Sequence, residues 1–314
     1  MILKQSVPLK KYSNYKIGGI ADYFYEFKST QDLVNALTEY KKIDPQLKNV
    51  FILGKGTNVL FMDDGFRGLV LKNSINFIKR EGEVINAGSG VLIEELNSYS
   101  IQNNLSGLEW AGGLPGTVGG AVRGNAGAFG GETKDSVLEV RSLDIHSLRL
   151  KKRSNKECRF TYRQSIFKSE EGEGEGEVIL SARFQFKKGD GEKIRKLTQE
   201  KIDYRIDRHP LDLPNIGSIF KNIPVEQVPN SVLKEFESSV KQDPFPVLPV
   251  AKLIASAGLT GKTIEGAQIS TKHPNFIVNI NNAKATDVLS LIQIVKKEIK
   301  EKYDIALKEE IMIA

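Results

Sequence analysis

Long apolar runs are missing from this chain. No stretch of its 314 residues approaches the roughly 18 consecutive apolar residues that a membrane-crossing helix needs, so no membrane partner is expected. The opening MILKQSVPLKKYSNYK has no apolar core after its charges, and no secretory leader is expected there. Cysteine is nearly absent: Cys158 stands alone, cannot form an internal disulfide, and fits a reducing cytoplasm. The three histidines, His146, His209 and His273, are scattered along the sequence, and Cys158 has no partner at ligand spacing, so no metal site is expected. Positive charge is in excess, with a net charge of +6 and a pI near 9.1, but it is not gathered. Lys and Arg are spread, with modest clusters only at Lys10–Lys11 and Lys151–Arg153, whereas a nucleic-acid binder concentrates them on one face. A basic globular protein with anionic ligands is the simpler reading, and nucleic acid is not an expected partner. With 40% hydrophobic residues and a mean hydropathy of −0.28, the composition is that of an ordinary soluble protein. Its length exceeds what one core usually supports, which predicts two or three subdomains.

Glycine, by contrast, is abundant in one place. Residues 107–131 read GLEWAGGLPGTVGGAVRGNAGAFGG, and ten of these 25 positions are Gly. Glycine costs folding entropy, so such a segment needs its backbone close to something. Consecutive N–H groups without side chains form concave nests, and with a following helix N-terminus they suit a phosphate. A flexible linker would be made of Gly, Ser and polar residues. Leu108, Trp110, Leu114, Val118, Val122 and Phe129 require burial instead. The expectation is a diphosphate-bearing cofactor lying along this segment. A second cradle occurs at VFILGKGTNVLF (50–61), where Gly54 and Gly56 let main-chain N–H groups approach an anion and Thr57 and Asn58 add side-chain hydrogen bonds. It lacks the third glycine and the opening helix of a dinucleotide fingerprint.

Hydrophobic periodicity predicts an aromatic-rich strand after Gly18-Gly19, a helix over Gln31–Lys42, and strands within 50–61 and 68–91 with a hairpin turn at Arg80–Glu83. It further predicts helices over Leu92–Asn103, from Ile194 to about Arg208, over 250–258 and over Ala285–Tyr303, with strands within 137–150, 178–187 and 276–280. The acidic EEGEGEGE run (170–177) reads as a solvated hairpin tip, and the proline-rich 223–249 as irregular.

Taken together, YSNYKIGGIADYF, ILGKGTNVLF, GLEWAGGLPGTVGGAVRGNAGAFGGE, FTYRQSIF, GSIFKN, GAQISTKHPNFIVN and the closing LKEEI resemble the UDP-N-acetylenolpyruvoylglucosamine reductase (MurB) family. The blocks run from about Lys10 to Ile311 in the family's order. Absence of the extra tyrosine-bearing loop after FTYRQSIF makes the chain similar to the shorter, second type. The resemblance implies an α+β chain with a PCMH-type FAD-binding fold of two subdomains, residues 1–71 with 302–314 and residues 72–203. A C-terminal α+β substrate-binding domain, residues 204–301, would follow. It implies FAD held at Gly54, Lys55, Gly56, Thr57 and Asn58 and at Pro115, Gly116, Thr117, Gly119, Gly120, Asn125 and Gly127. No His or Cys lies in either cradle, in keeping with non-covalent flavin. NADPH would be the hydride donor, a UDP-sugar enolpyruvyl ether the substrate, and a cytoplasmic monomer the working form.

That chemistry needs a fixed positive charge for the carbanion left by hydride addition and an acid to protonate it. By resemblance Arg163 supplies the charge, Ser218 the proton, and Glu310 shares the stabilisation; Tyr162, Lys221, Asn222 and Lys262 would contact substrate. Read without the family, Arg163 is a surface arginine and Ser218 a turn residue, and Glu309 competes with Glu310. Thr260 stands where the family carries a diphosphate lysine, with Lys262 as the nearby alternative. Glu265, Met312 and Ile20 are further departures. Two rival readings are another PCMH-type flavoprotein, such as an oxidase, and a non-enzymatic nucleotide- or nucleic-acid-binding module.

Overall fold

The computed structural model describes residues 2–168, 174, 176–243 and 245–314. Most of the acidic run expected as a hairpin tip lies outside the described residues. Two compact units emerge: residues 1–7, 21–55 and 67–203 form the first, and residues 8–20, 56–66 and 204–314 the second.

In the first unit, one sheet has the strand order Lys4–Pro8, Ile20–Phe27, Phe66–Asn73, Val50–Leu53, the last two running parallel. Helix α1 (Thr30–Tyr40) starts where Ser29 accepts the Asp32 N–H at 3.1 Å, and it buries Leu33, Ala36, Leu37 and Tyr40. A second, five-stranded antiparallel sheet has the order Leu150–Ser154, Val137–Asp144, Glu177–Gln185, Val84–Gly88, Ile78–Glu81. Alternation, reset by register shifts between Val137 and Glu139 and between Arg141 and Ser142, sorts its residues between two cores. Leu143, Ile145, Val178 and Leu180 join α1 and the first sheet. Val140, Ile179, Ala182 and Phe184 instead pack with α2 (Ile93–Gln102) and α3 (Val118–Gly124). Cys158 belongs to this second core, where burial pushes its thiol up to about 12, so it is an inert packing residue. Helix α4 (Gly191–Arg208) carries the chain across the division after Asp203.

The second unit has one core built on α7 (Ala285–Tyr303). Val288, Leu291, Ile292, Val295, Ile299 and Tyr303 line one stripe of it and pack with α6 (Val250–Ser256) and with Tyr15, Ile17 and Leu60. The stretch read as irregular, 223–249, also contains a short helix, α5 (Asn230–Glu235), which starts directly after Pro229. A three-stranded sheet, Thr263–Ile264, Ala267–Ile269 and Ile277–Asn279, covers another edge. The terminal Met312–Ile313 strand runs parallel to Val59–Leu60.

His209 and His273, far apart along the chain, meet edge to face at 5.3 Å, and both rings rest on Phe276 at 5.1 and 4.8 Å. The His273 Nδ1 is buried without a hydrogen-bond partner among the described residues. Burial first, then the positive charges of His273, Arg205, Lys241 and Lys272, pull His209 down to about 3; burial and Lys241 pull His273 down to about 4. Both are therefore neutral in the fold but protonate near 6.5 when unfolded. The unfolded state binds more protons below that value, so stability is complete above it and declines as the pH falls towards 4. A loss of about 2 kcal/mol per histidine is expected between pH 7 and pH 5. Thermal melts of the wild type and of His209→Phe at the two pH values check this: the variant keeps roughly half of the decline, and an unchanged decline refutes it.

Candidate functional site

The two glycine-rich segments touch inside the first unit. A Cβ at Gly54 would lie 2.8 Å from the Thr117 Oγ1, closer than real contacts allow, so no side chain fits there. Thr117 caps α3 and accepts the Gly120 N–H at 3.3 Å. In the second unit, Gly56 (φ +72°) passes so close to Tyr12 that a Cβ would strike the Tyr12 carbonyl, and its own carbonyl accepts the Asn14 N–H at 2.9 Å. Among the described residues the N–H groups of Lys55, Gly56 and Thr57 meet no protein acceptor, as an anion cradle requires.

The 116–120 segment behaves differently from the nest read in its sequence. The Val118 N–H donates to the Val91 carbonyl at 2.9 Å, and the Gly119 N–H to the Ser89 carbonyl at 2.8 Å. With Gly120 bonded to Thr117, these three donors are already used. Gly119 serves close packing on Ser89, which a Cβ would meet at 3.0 Å. Pro115 and Gly120 are exposed here, Gly116 is half-buried and Thr117 is buried.

Beyond α3 the chain forms a tight hairpin, Gly127–Ala128 with Gly131–Glu132, and the 161–168 segment docks against it. Thr161 and Gln164 exchange two backbone hydrogen bonds, at 3.1 and 3.2 Å, leaving Tyr162 and Arg163 at the tip of the turn. Arg163 sits in the left-handed region at φ +57°. Its guanidinium stacks over the Tyr162 ring at 5.0 Å and donates to the Gly127 carbonyl at 2.8 Å. The Ser165 Oγ donates to the Arg123 carbonyl at 2.7 Å and ties the segment to the end of α3.

Ser218 and Glu310 come together in the second unit. The Glu310 N–H donates to the Ile219 carbonyl at 2.8 Å and the Lys221 N–H to the Lys308 carbonyl at 3.0 Å, which sets Phe220 opposite Glu309. The Glu310 carbonyl in turn accepts from the Asn58 side chain at 3.2 Å. Glu309 pairs with Lys296 of α7 at 2.8 Å, and its neighbour along an extended segment faces the other way. Lys221 is half-buried, the Asn222 Oδ1 accepts the Val250 N–H at 3.2 Å, and Lys262 is exposed in the turn after α6.

Sequence reading missed Asn275. Buried beside Ser218, it accepts the Ile219 N–H on its carbonyl at 2.8 Å, and its side chain both accepts from and donates to the Phe220 backbone at 3.0 and 2.8 Å. Its signal was present, a polar amide at the mouth of the apolar run FIVNI, but the partner lies 55 residues away.

A profile of the UDP-N-acetylenolpyruvoylglucosamine reductase C-terminal domain matches residues 209–314, and a profile of an FAD binding domain matches residues 21–146. The UDP-N-acetylenolpyruvoylglucosamine reductase of Caldanaerobacter subterraneus subsp. tengcongensis is 36% identical over 98% of this chain and 91% of its own length. That of Clostridioides difficile is 34% identical over 99% and 93%. The crystal structure of the Thermus caldophilus enzyme (MurB) superposes with a TM-score of 0.77 at 27% identity and covers 99% of both chains. Cradles that exclude side chains, an FAD-binding profile over both of them, and relatedness along almost the whole length together show that the chain belongs to the UDP-N-acetylenolpyruvoylglucosamine reductase family and is an FAD-containing oxidoreductase.

Proposed function

We propose that this protein uses NADPH to reduce UDP-N-acetylglucosamine enolpyruvate to UDP-N-acetylmuramate, as a cytoplasmic monomer supplying peptidoglycan precursor. The observation that carries this reading is relatedness over 98% of the chain to a reductase of that name. The residues present fit the cofactor, since Gly54 leaves no room for a side chain against Thr117 and Lys55 to Thr57 keep N–H donors for a diphosphate. Gly54, Lys55, Gly56, Thr57 and Asn58 would hold that group, with Pro115, Gly116 and Thr117. The limits 1–71 with 302–314, 72–203 and 204–301 for the three domains form part of the same proposal.

When bound, FAD supplies the hydride relay from NADPH to the enolpyruvyl double bond. Arg163 holds the substrate carboxylate, where a guanidinium stabilises the negative charge that develops on the adjacent carbon. Its hydrogen bond to Gly127 fixes the plane in which the remaining N–H groups point. Ser218 donates its hydroxyl proton to that carbon and is reprotonated from solvent, and Glu310 shares the stabilisation from the neighbouring strand. Tyr162, Lys221, Asn222 and Lys262 contact the UDP-sugar, with Lys262 standing in for the lysine that Thr260 replaces.

An anaerobic two-step assay tests the reading. The purified protein is yellow, NADPH bleaches it, and added enolpyruvyl substrate restores the colour. A colourless preparation that refuses FAD, or a reduced flavin indifferent to that substrate, defeats it.

A further inference from the structure

Asn125 lies in the glycine-rich segment expected to meet the cofactor, but its side chain is engaged elsewhere. It is fully buried at the end of α3, in the left-handed conformation (φ 41°, ψ 57°). Its Nδ2 donates to the Thr161 carbonyl at 3.0 Å and to the Glu132 Oε1 at 3.2 Å, and its Oδ1 accepts the Lys134 N–H at 3.0 Å. A carboxamide has two donor hydrogens, so neither is left for a cofactor.

Both bonds that it donates lead to Arg163. Thr161 opens the turn that carries it, and the Thr161 carbonyl accepts from both Gln164 and Asn125. The left-handed backbone at Arg163 is unfavourable for a side chain of that size, so the turn persists only if its ends are held from outside. Glu132 pairs across the hairpin with Gly127, whose carbonyl accepts the guanidinium at 2.8 Å. One amide thus joins the turn that presents Arg163 to the hairpin on which its guanidinium rests. We propose that Asn125 is a positioning residue for Arg163, setting where the guanidinium stands without itself touching cofactor or substrate. The inference rests on the carboxylate-holding role given to Arg163 above.

The test uses the full chain with FAD bound and four proteins: wild type, Asn125→Gly, Arg163→Lys and the double variant. Glycine keeps the left-handed backbone and deletes only the amide. Flavin fluorescence titration, the rate of flavin reduction by NADPH and the rate of reoxidation by the enolpyruvyl substrate are measured separately. Asn125→Gly is expected to leave FAD affinity and flavin reduction within about twofold while slowing reoxidation by about 10- to 100-fold, the scale of a 1 Å misplacement. On top of Arg163→Lys it should add less than about threefold, because the two residues act as a unit. Losses that multiply in the double variant, unchanged reoxidation in Asn125→Gly, or an equal loss in FAD affinity and both half-reactions overturn the inference. Wild-type reoxidation in Arg163→Lys is a separate result: it removes the role given to Arg163 and the inference with it. If Asn125→Gly does not fold, Asn125→Ser gives the same readout, since it deletes the amide without placing a charge beside Glu132.

Discussion

Replacing Ser218 with alanine is expected to leave flavin reduction by NADPH at the wild-type rate and to slow reoxidation by the enolpyruvyl substrate by about 10²–10⁴, the usual worth of a positioned general acid. A serine hydroxyl is a weak acid in water, so the proposed role requires that its position be fixed. The structure fixes it on both sides. Before Ser218, the Asn215 side chain accepts the Gly217 N–H at 3.1 Å, and Gly217 turns in the left-handed region at φ +87°. After it, Asn275 clamps the backbone of Ile219 and Phe220 through three hydrogen bonds, and Glu310 bonds to Ile219. Loss of one half-buried hydroxyl costs little stability, so the variant should fold and bind FAD as the wild type does. Stopped-flow traces of the two half-reactions decide the matter, and equal slowing of both removes Ser218 from the acid role.

The largest effect on stability is expected at Arg153. Lys151 and Arg153 alternate onto the same face of one strand and meet Glu177, whose side chain is wholly buried. Arg153 grips it with two bonds at 2.6 and 3.2 Å, Lys151 adds one at 2.9 Å and Ser142 one at 2.7 Å. Burial alone would raise the Glu177 carboxyl, but the bonds from Arg153, Ser142 and Lys151 outweigh it and hold it at about 2. Arg153→Met keeps the length and apolar stem but leaves a buried carboxylate short of its main partner. About 3–5 kcal/mol of unfolding free energy should be lost, measured from the urea midpoint and slope. The sign with pH follows from the same lowered value: the stabilisation is complete above the ordinary carboxylate range near 4.3 and disappears as pH falls towards 2. The variant should therefore be less acid-sensitive over that window as well as weaker at pH 7. A loss below about 1 kcal/mol would show that Lys151 and Ser142 suffice.

Much of the architecture was legible because its causes are local. The α7 stripe was read over Ala285–Tyr303 and is found there, since a 3.6-residue repeat of apolar positions needs no knowledge of what it packs against. The hairpin turn read at Arg80–Glu83 is found, narrowed to Gly82 and Glu83 because Arg80 and Glu81 pair with Ile85 and Val84. Long-range pairing was not legible. Asn125 and Thr161 are 36 residues apart, Phe220 and Asn275 are 55, and Asn58 and Glu310 are 252. Nothing in a window of a dozen residues encodes such partners.

By itself, then, the sequence determined that glycine backbone is needed at Gly54, Gly56, Gly116, Gly119 and Gly120, where most of the longer helices and strands lie, and which family's blocks the chain carries. Only the tertiary structure decided which of those N–H groups stay available, that Gly119 and Gly120 have theirs occupied by Ser89 and Thr117, and that Asn125 turns inward to brace Arg163. It also decided that Glu309 belongs to Lys296, and that His209 and His273 share one buried site. The physical reason is the same throughout. A glycine or an amide declares what it can do through its own covalent structure, but a hydrogen bond is used or free only once folding has brought its partner within about 3 Å.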